Sequence, residues 1–228
     1  MVYQMSQSNL SSLAYDQLLQ GIISFEILPG TTLQERSLAE QLEMSRTPVR
    51  EALRRLTHEG WVQNSLKRNV MEVKPISTDD VEELFEIRQL FEMRGVERIF
   101  DEKINSQVGN VLLSISENLR ACGASPEFDE MEYMTTDMKF HTELMHFKEK
   151  SRLGKIWNQL NLESIRLGIM ALKSRNSNRS TVAHEHDAIA AGILHRRKKE
   201  VREAVRYHNE QTKLHTFKSL EGILRSKV

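Results

Sequence analysis

Apolar residues recur every three to four positions through most of this chain, and the stretches that break the rhythm are short. Val49, Ala52, Leu53 and Leu56 fall on one face, which predicts a helix running from Ser45 to Gly60. Ser45 is placed as its N-cap, with a hydroxyl able to accept from an orphan first-turn amide. Pro48 is tolerated because first-turn amides have no intrahelical acceptor to lose. Gly60 stands where a left-handed residue closes a helix. Upstream, Leu33–Met44 reads as a short amphipathic helix with Leu38, Ala39 and Leu42 inward, separated from the next by a tight turn. A leading helix is expected over Ser11–Phe25, followed by the turn Leu28-Pro29-Gly30. After Gly60 the pattern becomes β-prone: Trp61-Val62-Gln63 and Val70-Met71-Glu72-Val73 flank the polar stretch 64–69. That is a hairpin with Lys67 and Arg68 at its tip and Asn69 where a positive φ is required. Three helices and a basic hairpin make a winged helix-turn-helix.

Lys74-Pro75-Ile76-Ser77-Thr78 divides the chain into domains at 1–76 and 77–228. Pro75 disfavours helix at Lys74, and Ser77 with Asp80 three positions on forms a capping-box pair. Beyond it the apolar period stays helical, with helices at about 78–102, 106–121, 126–149, 151–174, 180–196 and 198–225. Ser125-Pro126 reads as an N-cap with proline in the first turn. The expected fold class is mainly α, the winged helix being joined to an antiparallel six-helix bundle.

Net charge is zero over 228 residues, with 32 basic and 32 acidic side chains. The distribution is uneven. Residues 46–74 carry seven Lys or Arg against three acids, whereas 77–101 carry eight acids against three Arg. Phosphate attraction depends on the charge facing the duplex, so a neutral total does not exclude nucleic acid. No apolar run approaches the length of a membrane span, the N-terminus lacks a signal-peptide pattern, and one cysteine, Cys122, cannot form an internal disulfide. A cytoplasmic protein with no membrane partner is expected.

The start of the predicted 45–60 helix bears Ser45, Arg46, Thr47 and Arg50, with no acid before Glu51. Short hydroxyls and guanidiniums at a helix N-terminus, backed by an apolar face, suit a DNA major groove. An ordinary Arg-rich surface helix is the competing reading, and the ordered run of helices, turn and wing weighs against it.

Asp137 and His141 lie four apart on one helix face, His186 lies near the start of a later helix, and His208 lies on the last. One carboxylate and three imidazoles suit a divalent transition ion, Zn²⁺ or Ni²⁺. On spacing alone an i,i+4 surface pair is as natural, and His146, His184, His195 and His215 are equally available. Met131, Met134, Met138, Met145 and Met170 read as core filling, with a flexible pocket wall as the alternative. Trp157, with Ile156, Leu160 and Leu167, reads as core too. The basic run His195–Lys199 is a solvated helix junction, its charges matched by Glu200 and Glu203.

Residues 10–76 resemble the winged-helix domain of the GntR family of bacterial transcription regulators. The resemblance is carried by Pro29-Gly30, Leu33, Glu35, Leu38-Ala39 and the run Ser45-Arg46-Thr47-Pro48-Val49-Arg50-Glu51-Ala52-Leu53. Glu86-Ile87-Arg88 to Glu92, Asp137…His141, Glu185-His186 and His208 resemble the all-helical FCD ligand domain of its FadR-type subfamily. The resemblance implies DNA contacts from Arg36, Ser45, Arg46, Thr47 and Arg50, with Lys67 and Arg68 as wing contacts. It implies a metal held by Asp137, His141, His186 and His208. Arg88 and Arg166 become candidates for an effector carboxylate, an Arg88–Glu92 salt bridge being the plain alternative. Two departures stand out: Asn69 occupies a usual glycine position of the wing, and Lys150-Ser151-Arg152-Leu153 replaces a small polar residue after the Asp-x-x-x-His helix.

The expected function is a homodimeric transcriptional regulator, a repressor, that binds a short inverted repeat of double-stranded DNA and answers to a small organic acid held with the metal. The competing classes are a metal-dependent helical enzyme and a constitutive DNA binder without an effector. Against an enzyme, the sequence has no phosphate-cradling glycine loop, no Ser or Cys nucleophile motif and no His-Glu-x-x-His helix; His184-Glu185-His186 has the wrong spacing.

Overall fold

A computed structural model describes residues 7–65, 70–147, 151–173 and 179–225. Two compact units are resolved, 1–76 and 77–228. The sequence expectation of a mainly α chain with an N-terminal winged helix-turn-helix and a helical C-terminal domain holds.

In the first unit α1 (Gln7–Ile23) packs on α3 (Arg46–His58), with the short α2 (Glu35–Gln41) against α3. Ala14, Leu18 and Ile22 meet Val49, Ala52, Leu53 and Leu56, all buried, so the apolar stripe of α3 is spent on its own core. Its opposite face stays free. Gly60 takes φ +84°, which ends α3 in the left-handed region and turns the chain into the wing. Strands β1 (Val62–Ser65) and β2 (Val70–Val73) pair antiparallel, Val62 opposite Val73 and Ser65 opposite Val70.

Two local expectations change. The helix expected over 33–44 is shorter, because Leu33 donates its N–H to the Met71 carbonyl at 2.8 Å and Val73 donates to Thr31 at 3.0 Å. Residues 31–33 are thus held along β2, so Leu33 cannot be helical. Ser45 sits at the N-cap with extended backbone, yet its hydroxyl makes no capping hydrogen bond. The third helical residue is Pro48, which has no N–H to offer.

The second unit contains α4 (Thr78–Asp101), α5 (Asn105–Ala124), α6 (Glu130–Met145), α7 (Arg152–Lys173), α8 (Arg179–Leu194) and α9 (Lys198–Arg225). Ser77 and Asp80 form the reciprocal capping box expected of them. Ser125-Pro126 does not start a helix. Ser125 closes α5, its hydroxyl accepts from the Glu127 N–H, and Asp129 caps α6 by accepting from Glu132. The intervening Phe128 packs on the ring of Tyr133, and Arg179 stacks on Phe128, so the delay in starting α6 is fixed by side-chain packing. The core joins Val96 and Ile99 of α4, Leu112 of α5, Phe140 and Leu144 of α6, Ile189 and Ile193 of α8, and Val201 and Val205 of α9. Trp157 is buried as expected, whereas Ile156 is exposed. At the helix junction, Arg197 pairs with Glu200 and Lys199 with Glu203, while Lys198 reaches Glu97 and Asp101. No helix among the described residues is long and apolar enough to cross a membrane.

Candidate metal centre and nucleic-acid interface

Burial sorts the eight histidines. His58, His184 and His195 are exposed, and His146 and His215 are half-buried. His141, His186 and His208 are fully or almost fully buried, with one ring nitrogen of each within 4.8 Å of the others. Spacing alone leaves His146, His184, His195 and His215 equally available; helix packing brings only His141, His186 and His208 together among the described residues. Asp137 joins the three from one turn earlier on α6, its oxygens 3.7 Å from His141 Nε2 and 3.6 Å from His186 Nε2.

Each ring is held from behind. Phe140 stacks flat on His186, centroids 4.0 Å apart with planes inclined by 3°. Glu185 Oε2 takes His208 Nδ1 at 2.7 Å, which turns the Nε2 of that ring toward the cluster. Glu92 Oε1 lies 2.9 Å from His141 Nδ1 and 2.8 Å from Arg88 Nε, and its other oxygen accepts from Asn209 at 2.6 Å. Carboxylates behind histidines orient the rings and raise their basicity as ligands. Gly95 lets α4 approach: a Cβ there would stand 2.4 Å from the Leu144 carbonyl oxygen and the Met145 Cα. That backbone-on-backbone contact, one turn beyond Glu92, brings Glu92 to His141.

Electrostatics follow from burial. Burial alone would raise the Glu92 carboxyl, and the facing His141 ring and Arg88 guanidinium outweigh it, holding Glu92 well below the usual carboxylate range. Burial pushes His141 down, helped by Arg88, and pushes His186 far down, helped by the other two rings. A neutral His186 keeps its lone pair for a cation. Among the described residues, neither nitrogen of His186 and not the Nε2 of His208 finds a hydrogen-bond partner. A buried imidazole without a partner costs free energy unless something fills its lone pair. Two such rings, with His141 and the Asp137 carboxylate beside them, fit a first-row divalent ion.

A cavity of about 120 Å³ borders the cluster at Asp137 and His208. Met134, Ala171, Leu172 and Val182 give it apolar walls, and Gln211 and Thr212 give it polar ones. Of the two arginines considered for an effector, Arg88 is engaged with Glu92 and His141, and Arg166 does not line this cavity. Burial lowers the Arg166 pKa to about 10, with Glu163 and Asp80 opposing the shift. The sequence assigns neither Glu92 nor Glu185 to the site, and offers Met134 as a pocket wall only as the alternative to core filling. Glu185 has a signal, being adjacent to His186 in His184-Glu185-His186, and Glu92 has one in the resemblance of Glu86-Ile87-Arg88 to Glu92 to the FCD domain, besides its pairing with Arg88.

In the first unit Ser45, Arg46 and Arg50 are exposed and Thr47 is half-buried at the start of α3. Arg36 is exposed on α2 and pairs with Glu40 at 3.1 Å. Arg55 is drawn away by Glu59 and by stacking on Tyr15, 3.6 Å from the ring centre. Lys67, Arg68 and Asn69 lie outside the described residues.

A winged helix-turn-helix at one end and a buried Asp–His cluster at the other have matches among known proteins. Residues 10–68 match the model of bacterial regulatory proteins of the gntR family, and residues 83–211 match the FCD domain. The chain belongs to the GntR family, with an FCD domain as its second part. A Bacillus subtilis relative, the uncharacterized HTH-type transcriptional regulator YdhC, is 26% identical over 85% of this chain and 83% of its own length. The gluconate operon transcriptional repressor of the same organism is 27% identical over 63% of this chain, and the match spans 57% of that repressor. The solved structure of Escherichia coli McbR/YncC aligns with a TM-score of 0.69 at 20% identity, covering 92% of this chain and 97% of that one, which shows a shared fold. This GntR-family chain is therefore a DNA-binding transcriptional regulator, and its family and relatives are regulators, not enzymes.

Proposed function

We propose that this regulator is a homodimeric, metabolite-responsive repressor whose second unit holds a divalent transition ion, Zn²⁺ or Ni²⁺, through Asp137, His141, His186 and His208. The reading rests on one observation above others: buried, unpartnered imidazole nitrogens beside a cavity, in a chain that also carries a DNA-binding head. The ion would supply a Lewis-acidic anchor for an oxygen of a small organic acid. Glu92 and Glu185 orient the ring ligands, and the apolar walls exclude water from the bound acid's body.

Residues 1–76 are assigned to DNA and 77–228 to effector binding and dimerisation. Arg46 is the reader of a guanine, since its planar fork matches O6 and N7. Ser45 and Thr47 hold phosphate, and Arg36, Arg50, Lys67 and Arg68 add backbone or base contacts. A two-fold dimer requires an inverted-repeat operator. Repression is supported by the gluconate operon repressor among the relatives. An effector moves operator affinity only through unequal affinity for the DNA-bound and free forms.

Genomic DNA capture with the purified protein, followed by gel shifts with and without chelator, tests the reading. The expected result is a short palindromic site whose response to added organic acids disappears when the metal is stripped. Loss of the acid response at unchanged metal content, or enrichment of no site at all, would count against it.

A further inference from the structure

We propose that Met134 sets the length of the acid the cavity admits and that Gly168 makes its position possible; this rests on the effector reading above. Met134, Gly168 and Thr212 border two voids at once. One is the cavity at Asp137 and His208; the other, about 10 Å³, is closed by Arg88 and Ser164. A Cβ at position 168 would stand 2.1 Å from Met134 Cε and 2.7 Å from its Sδ, so the thioether lies on the bare backbone of α7. Glycine there is what lets the side chain act as a partition. Methionine is unbranched, and its end moves at small cost.

Size then selects the ligand. A dry cavity of about 150 Å³ accommodates benzene, so about 120 Å³ accommodates roughly five non-hydrogen atoms. No lysine or arginine lines this cavity among the described residues. Arg88 borders the void behind Met134 instead. An acid anchored at the Asp137 and His208 end meets the Met134 thioether among apolar walls and the neutral polar groups of Thr181, Gln211 and Thr212. The ligand class is a monocarboxylate of two to four carbons. A dicarboxylate such as succinate is longer than the space that Met134 leaves in a cavity of about 120 Å³, and is rejected for that reason.

The test is calorimetric titration of the zinc-loaded full-length protein with acetate, propionate, butyrate, succinate and glutarate. The wild type should bind the monocarboxylates and bind succinate at least tenfold more weakly than butyrate. Met134→Ala joins the two voids and should improve succinate and glutarate at least tenfold relative to butyrate. Gly168→Ala, whose methyl drives the thioether off the helix, should weaken butyrate more than acetate, and it keeps the test alive if Met134→Ala does not fold. Succinate binding the wild type as tightly as butyrate overturns the partition, as does an unchanged succinate-to-butyrate ratio in Met134→Ala. Zinc binding without any response to the monocarboxylates overturns the effector reading itself and takes this inference with it.

Discussion

In the N-terminal unit Arg36, Arg46 and Arg50 stand in water, whereas in the C-terminal unit the charged groups proposed to act are buried. Arg46 and Arg50 are exposed on a helix whose apolar face is fully used by its own core. Asp137, His141, His186 and His208 are buried, and so are the Arg88 and Glu92 that brace them. An exposed guanidinium costs nothing to keep until it meets DNA. A buried imidazole or carboxylate costs free energy from the moment the chain folds, unless a partner compensates. The first surface can therefore be altered without loss of fold, and the second cannot. Function and stability are separable in one unit and coupled in the other.

Three substitutions probe that contrast. The largest effect is expected from His186→Ala, which removes a ligand and empties the face of Phe140. Zinc affinity should fall more than 100-fold, beyond the 10–100-fold typical of losing an orienting partner, and the melting temperature of the zinc-loaded protein should drop with it. Metal analysis after dialysis and a calorimetric melt read both quantities; unaltered metal content would take His186 out of the site. Arg46→Ala should produce the opposite signature. Operator affinity falls by roughly 1–3 kcal/mol with relaxed preference at one base pair, while the melting curve stays where it was. A fall in stability equal to the loss in binding would erase the distinction between the units. The smallest effect belongs to Ser77→Ala at the head of α4, where one half of the reciprocal cap is lost. About 1 kcal/mol of stability is expected to go, with zinc and operator affinities unchanged, as measured by urea denaturation and titration.

The two sites also differ in how far the sequence alone disclosed them. Ser45 to Arg50 form one uninterrupted stretch, and helical periodicity already says which side of it faces the core. The wing is legible in the same way, as two β-prone runs about a polar turn. Local detail was less so. Leu33 has a helix-compatible pattern, yet its backbone is spent on β2, a partner nearly forty residues away. The Ser125-Pro126 pair carries a helix-start signal that the packing of Phe128 with Tyr133 and Arg179 overrides.

For the buried cluster, spacing could place Asp137 and His141 on one face of α6 and no more. By itself the sequence determined the element order, the amphipathic faces, the exposed basic head of α3 and the supply of histidines. Tertiary structure alone decided which histidines meet, which carboxylates stand behind them, and that Met134 rather than an arginine walls the cavity. The reason is physical: periodicity reports the face of a helix that is buried, and carries no information on which residues of other helices it is buried against. That is decided by packing among α4, α6, α8 and α9, down to the close backbone approach that Gly95 permits.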